Sequence, residues 1–376
     1  SAINVDATAA LYDGKTGATA TLAENFAIED KVYHAMDLLT SGLVTWKTSN
    51  VYVTTNTLGI QRGIDVVPNS TVNVGSGTFN EDVNVYKNGI QLLGSGIDNT
   101  YLRGTYAGTN GGSAACLFLN ANDILVQDLT VTRNYGADLA AWYACTKNQG
   151  ITFGQVKTGN TINRIKVVDQ RNAVYVNNAQ DFTITNCIVE NSRTGIQMAN
   201  NLTGGTITNN FFRNTYTHGL MINFDLGVVN GTDLTIKENS FTDNWYSEVY
   251  YHGTNTGSFT NADFSCNWYG TTAPTTLATA AGEPGYASQI PAQFGGTVPG
   301  PLADQIRGTK AGLITSNPWL VYGTDNSTNT GFQPLPDACE GTPVAISDAT
   351  PTNGICGIAG SIAVSWTGGS ANYLIS

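Results

Sequence analysis

The chain has 376 residues, of which 12% are charged and 41% hydrophobic, with 42 glycines and a net charge of −11. Average domains carry about 25% charged residues, so the polar surface here falls to Asn, Thr, Ser and Gln. That composition suits a turn-rich, extracellular all-β protein rather than a disordered chain. The acidic balance argues against nucleic acid as a partner, because phosphate binding needs clustered Lys and Arg. No apolar run reaches 18 residues, which argues against membrane insertion through a spanning helix. No leader is visible, and Ser1 fits a mature start after signal removal. Six cysteines without a C-x-x-C pair, and three histidines, argue against a structural zinc site.

Residues 1–27 are weakly patterned. Ile28, Val32, Ala35, Met36 and Leu39 fall on one helical face, predicting an amphipathic helix over 28–39, ended by Ser41-Gly42. Its expected role is to cover the end of a stack of strands, with His34 at the surface. Residues 51–53 alternate as a strand, and 57–67 read as a second short helix. Val72/Val74, Val83/Val85 and Ile90/Leu92 then mark three short strands, broken by Gly75-Ser76-Gly77 and Asn88-Gly89. Strand, turn, strand, turn, strand is one coil of a solenoid.

The run IQRGIDVVPNSTVNVGSGTFNEDVNVYKNGIQLLGSG, residues 60–96, resembles the first coil of pectin-lyase-like right-handed parallel β-helix proteins. The resemblance implies an all-β, right-handed parallel β-helix with a short N-terminal helical cap. It does not imply an activity.

A repeating frame continues the pattern. Val126, Ile162, Ile184, Ile207, Ile236 and Phe259 open short segments spaced 36, 22, 23, 29 and 23 residues apart. A second large apolar residue follows each by five: Val131, Val167, Val189, Phe212, Phe241 and Phe264. Asn186, Asn209 and Asn261 sit two after their openers, where a side chain that tolerates left-handed backbone can bond its copy one coil away. The second strand of each coil should point Val174/Val176, Ile196/Met198, Leu220/Ile222 and Val249/Tyr251 inward, and Tyr175, Gln197, Met221 and Tyr250 outward.

The segment 135–161 interrupts the frame and accounts for the 36-residue step. Trp142 and Tyr143 on it, with Tyr175 and Tyr250, are candidate sugar-stacking residues; packing of the loop is the plainer role for Trp142 and Tyr143. Charge concentrates seven residues after the openers and nearby. If the chain is an enzyme, Asp169, Glu190, Arg193, Arg213 and His218 are the catalytic candidates, as acid, base and carboxylate-neutralising groups of a polysaccharide lyase or glycoside hydrolase. Carboxylates alternating with Arg also describe ordinary salt bridging between coils. Neither an Asp-Asp pair nor a Gly-His-Gly triplet of the kind found in pectin hydrolases is present in the frame. These features favour a non-enzyme.

NWYGT at 267–271, with NPWL, GTD and GFQP between 317 and 334, resembles the C-terminal cap of exported β-helix proteins of gliding bacteria. Asp325, with Asn326 and Asn329, offers oxygens to a calcium ion, although the EF-hand spacing is absent and a plain Asp/Asn turn is the simpler reading; no other cofactor is indicated. The tail 337–376 resembles the opening of β-sandwich-like repeats in gliding-motility adhesins. That resemblance implies type IX secretion, cell-surface display and a longer repeat protein. Cys339 and Cys356 bracket a Pro/Gly/Thr-rich stretch and are expected to pair. Cys116 and Cys145 are a second candidate pair, and Cys187 and Cys266 are expected to be packed thiols.

The expected organisation is an N-terminal segment and helical cap (1–70), the β-helix (71–270), a C-terminal cap and linker (271–336) and a partial repeat (337–376). The expected function is a non-enzymatic adhesin or filament protein binding glycan, substratum or another copy of itself; the alternative is a secreted lyase or hydrolase.

Overall fold

The computed structural model describes residues 2–67, 70–105, 115–133, 149–223, 230–252, 259–271, 273–278, 305–336, 338 and 339. Its body is a stack of parallel strands in which each coil pairs with the next. Asn50–Val53, Thr71–Val74, Gln91–Leu93, Leu125–Arg133, Thr161–Val167, Thr183–Thr185, Thr206–Thr208 and Thr235–Lys237 lie side by side in that order. The strand Asn50–Val53 already pairs with Thr71–Val74, so the stack starts within the segment assigned to the cap. Openers match in register: Val126 with Ile162, Ile162 with Ile184, Ile184 with Ile207 and Ile207 with Ile236.

Four left-handed corners turn each of two central coils. In one they are Arg164, Asp169, Asn178 and Asp181; in the next, Asn186, Asn191, Asn200 and Gly204. A positive φ reverses the chain in one residue, and Asn, Asp and Gly adopt it at least cost. Arg164 is the exception in chemistry. Its guanidinium grips Asp128, the matching corner one coil earlier, through two 2.7 Å bonds.

Between corners the side chains alternate. Val174, Val176, Ile196, Met198, Leu220 and Ile222 are fully buried, and Val249 and Tyr251 nearly so, as the frame requires. Each large apolar side chain so buried contributes about 1.5–3 kcal/mol. Aromatic rings continue the stack near the C-terminal end, Phe212 on Phe241 at 5.0 Å and Phe241 on Tyr269 at 5.8 Å.

The last copy of the frame is displaced from expectation. Phe259 pairs with Gly231, whereas Thr235 bridges Asp263 and Ser240 bridges Trp268. Phe264 therefore stands beside Ile236 as the opener, 28 residues on, and Tyr269 closes the segment beside Phe241. A phenylalanine suits both places, which is why periodicity alone slipped by five.

The asparagine ladder lies one residue after the predicted corner. Asn210, Asn239 and Asn267 are fully buried. Oδ1 of Asn210 accepts from the Cys187 N–H at 2.8 Å, that of Asn239 from the Asn210 N–H at 3.1 Å, and that of Asn267 from the Asn239 N–H at 3.0 Å. Their amides donate back to the carbonyls of Ile184, Ile207 and Ile236. Each asparagine thus satisfies backbone groups that the corner takes out of the sheet. Asn186 and Asn209 do hold left-handed corners, but they bond Asn163 and the Phe332 carbonyl rather than each other.

The N-terminal helix is Leu22–Glu29, not 28–39, and a capping box between Thr21 and Glu24 starts it. The residues after Glu29 form turns that drive Met36 into the core and bury His34 to 2% exposure. His34 Nε2 lies 2.8 Å from Glu29 Oε1, which fixes the ring inside rather than at the surface. The second helix, Ile60–Val66, forms as predicted, with Ile60 and Ile64 buried.

At the other end residues 317–336 fold back along the stack. Leu320 N–H donates to Asn267, Phe332 N–H donates to Asn209, and Phe332 packs on Phe211 at 5.3 Å. A disulfide joins Cys266 to Cys339, whose Cα atoms are 5.0 Å apart. The pairing of Cys339 with Cys356 is therefore corrected: the fold-back brings Cys339 to the last coil, and the spacing along the chain does not reveal that. Cys356 and Cys145 lie outside the described residues. Cys116 is a buried free thiol beside Arg133, not half of a bridge, and Cys187 is the packed thiol expected.

Candidate functional site

A groove of about 290 Å³ opens on the outer face of the sheet that follows the first corner. Its floor is a column in parallel register: Tyr101 beside Thr130, Thr130 beside Lys166, and Lys166 beside Ile188. The intervening Leu102, Val131, Val167 and Val189 are fully buried, so alternation alone aims the floor residues outward. Ile97 and Asp98 form one wall; the corner residues Asp169 and Asn191 form the other, with Arg103, Thr132 and Glu190 between. The Thr130 hydroxyl donates to the Ile97 carbonyl at 2.5 Å, tying wall to floor.

Glu190 is clamped. Its two oxygens lie 2.8 Å from Lys166 Nζ and 2.9 Å from Arg213 Nε. Burial works against ionisation, but Lys166 and Arg213 outweigh it and hold the carboxyl below its usual range. Asp169 has a left-handed backbone and accepts a 3.3 Å hydrogen bond from the Thr132 hydroxyl. Burial pushes its carboxyl up, against the opposing pull of Thr132 and Lys166.

The five catalytic candidates do not converge. Asp169 and Glu190 line the groove, and Arg213 reaches it through Glu190. Arg193 is 5% exposed and His218 fully buried, and neither lines it. His218 belongs to the next face, stacked on Tyr250 at 4.3 Å with Nδ1 2.9 Å from the Ser247 hydroxyl. Tyr250 alternates outward as expected but is only 4% exposed, because His218, Tyr246 and the Met221–Trp245 cluster enclose it. Tyr175, at 7%, likewise leaves no ring face for a sugar. These two stacking assignments are corrected; Trp142 and Tyr143 lie outside the described residues. Asp98, Tyr101, Arg103, Thr132 and Lys166 were missed. Reading the outward positions of the strand before the second corner, rather than the tyrosines of the following strand, would have found Lys166.

Asp325 Oδ1 accepts from the Gln333 N–H at 3.0 Å and the Ser327 N–H at 3.4 Å, closing a turn. Among the described residues, Glu29, His34 and Asp37 form a cluster with metal-ligand spacing. There, His34 Nδ1 accepts from the Val44 N–H, so the ring proton sits on Nε2, facing Glu29. That nitrogen has no lone pair to offer an ion.

A family model described as a right-handed beta helix region matches residues 41–212 and 149–273. The chain belongs to the right-handed β-helix family. Among solved structures, this β-helix resembles the catalytic domain of an α-1,3-glucanase in complex with tetrasaccharides at 16% identity and a TM-score of 0.40, over 62% of this chain and 46% of that one. It resembles pectin methylesterase from Erwinia chrysanthemi at 13% and 0.37, over 60% and 73%. A mannuronan C-5 epimerase A-module from Azotobacter vinelandii follows at 13% and 0.32, over 55% and 72%. The chain thus spans less than half of the glucanase domain, and these likenesses are of fold. No curated protein matches the chain. Among the described residues, no helix of the β-helix is long and apolar enough to cross a membrane.

Proposed function

We propose that this β-helix is a non-enzymatic, surface-displayed rod that binds a saccharide in the groove between Asp98 and Asn191. The observation carrying the proposal is the Lys166–Glu190–Arg213 clamp inside a polar groove. Hydrolysis by paired carboxylates needs one free to give and one free to take a proton. Glu190 is held as an anion by two cations, while Tyr101, Thr132 and Asn191 present a ring, a hydroxyl and an amide suited to sugar hydroxyls. The Cys266–Cys339 disulfide supports an extracellular location, and the tail resembling adhesin repeats supports attachment to a cell surface.

The raised carboxyl of Asp169 favours a second reading, in which it serves as general acid of a polysaccharide lyase or hydrolase. A glycan array, run with assays of reducing ends and unsaturated products, separates the two. Binding without turnover, lost in Tyr101→Ala, is expected. Turnover abolished by Asp169→Ala would sink the non-enzymatic reading.

A further inference from the structure

We propose that the groove selects uncharged, hydroxyl-rich polysaccharides and rejects polyanionic ones, and that Glu190 is the residue that sets this choice. The inference rests on the groove being the saccharide site. The groove holds Arg103 and Lys166 against Asp98, Asp169 and Glu190, two cations facing three carboxylates. Lys166 is the cation on the floor, and its Nζ is engaged by Glu190 at 2.8 Å. Arg213, beside Glu190 in the next coil, is engaged by the other oxygen of Glu190 at 2.9 Å. Arg164, on the adjoining corner, is engaged by Asp128 at 2.7 Å.

A uronate or sulfate binding at Lys166 would have to displace Glu190 from both partners and leave that carboxylate, 12% exposed, without compensation; at Arg103, exposed on the same groove, it would enter a lining shared with Asp98 and Asp169. It would also approach a chain of net charge −11, so long-range attraction is absent as well. An uncharged sugar meets no such cost. It needs only donors and acceptors, and Asn191, Thr132 and Asp169 supply them. Glu190 therefore acts as a built-in anion, occupying Lys166 and Arg213, which would otherwise join Arg103 in recruiting an acidic polymer.

The test is affinity electrophoresis of the folded chain in gels containing laminarin, dextran or arabinoxylan, against gels containing alginate or polygalacturonate. Wild type is expected to be retarded by at least one neutral polymer and by neither acidic one. Glu190→Gln frees Lys166 and Arg213, and should gain retardation by the acidic polymers equivalent to about tenfold tighter binding, abolished in about 1 M salt where the Debye length falls to about 3 Å. Glu190→Ser provides a second route to the same release if the glutamine variant unfolds; a thermal melt checks both. Wild-type retention by alginate or polygalacturonate, lost in Lys166→Met, would overturn the neutral selectivity while keeping the groove as the site. Retention of wild type that persists unchanged in Tyr101→Ala and Thr132→Trp would remove the groove reading and this inference with it. Glu190→Gln and Glu190→Ser that both fold but gain no acidic binding would overturn the role given to Glu190.

Discussion

Asn210, Asn239 and Asn267 repeat one residue at one place in successive coils, whereas Tyr101, Thr130, Lys166, Ile188 and Phe211 change at every step of theirs. Both columns run parallel to the rod axis. The first is buried and closes its hydrogen bonds on itself. The second faces the groove with Tyr101, Thr130 and Lys166, and its polar groups bond to residues outside the column, Thr130 to Ile97 and Lys166 to Glu190. In a stacked protein, identity along a column marks a position whose neighbours are its own copies. Variation along an outward column marks a position released from that constraint and available for recognition.

The contrast breaks most sharply at Asn239. Asn239→Ala strips acceptors from the Asn210 N–H and side-chain amide and a donor from the Ile207 carbonyl. A loss of about 3 kcal/mol is expected, read as a lower urea midpoint with an unchanged slope and no change in saccharide binding. A loss below about 1 kcal/mol would mean that the interior column is not what holds the coils together.

Glu248 tests how strictly the interior demands neutrality. It is buried against Asn244, and burial lifts its carboxyl from 4.5 to about 8. With the folded value raised, its contribution is fully present below about 4.5 and is lost as pH rises towards and through about 8. The melting temperature should therefore fall between pH 5 and 8, and Glu248→Gln should flatten that slope. Equal slopes in the two proteins would show that the side chain ionises freely.

A smaller effect is expected at the corners. Asn186→Ala keeps the sheet but places alanine at φ 54°, at a cost of about 1–2 kcal/mol, whereas Asn186→Gly should cost less. Smallest is the groove. Arg213 is 37% exposed on its side chain, and Arg213→Ala should shift stability by no more than about 1 kcal/mol. A chemical denaturation curve displaced further than Asn186→Ala would show that the clamp is structural and would erase the distinction between the two columns.

Much of this was legible beforehand. The five-residue beat between large apolar residues names the core, because strands stacked coil on coil must repeat their inward positions. It misled where one residue type suits two columns, as Phe259 and Phe264 do. The helix over 28–39 failed because apolar spacing outweighed the stronger local signal of the Thr21–Glu24 capping box. The groove was half visible: Asp169 and Glu190 stood out by charge, but Lys166 occupies the place of Ile188 and Phe211, and only the register shows it facing the same opening. The burial of Tyr175 and Tyr250 was not legible, since alternation tells which way a side chain points and not what lies over it. Nor was the partner of Cys339, which depends on a fold-back that passes no periodic signal.

That fold-back decides how the rod would bear load. A pull on the chain beyond Cys339 crosses the disulfide into Cys266 and enters the stack at its last coil. The span between the two cysteines, 73 positions apart in sequence, lies outside the path of the force. The contacts of Phe332 would stay slack while the coils take the tension, so tugging on the tail would not peel away the cover of that end.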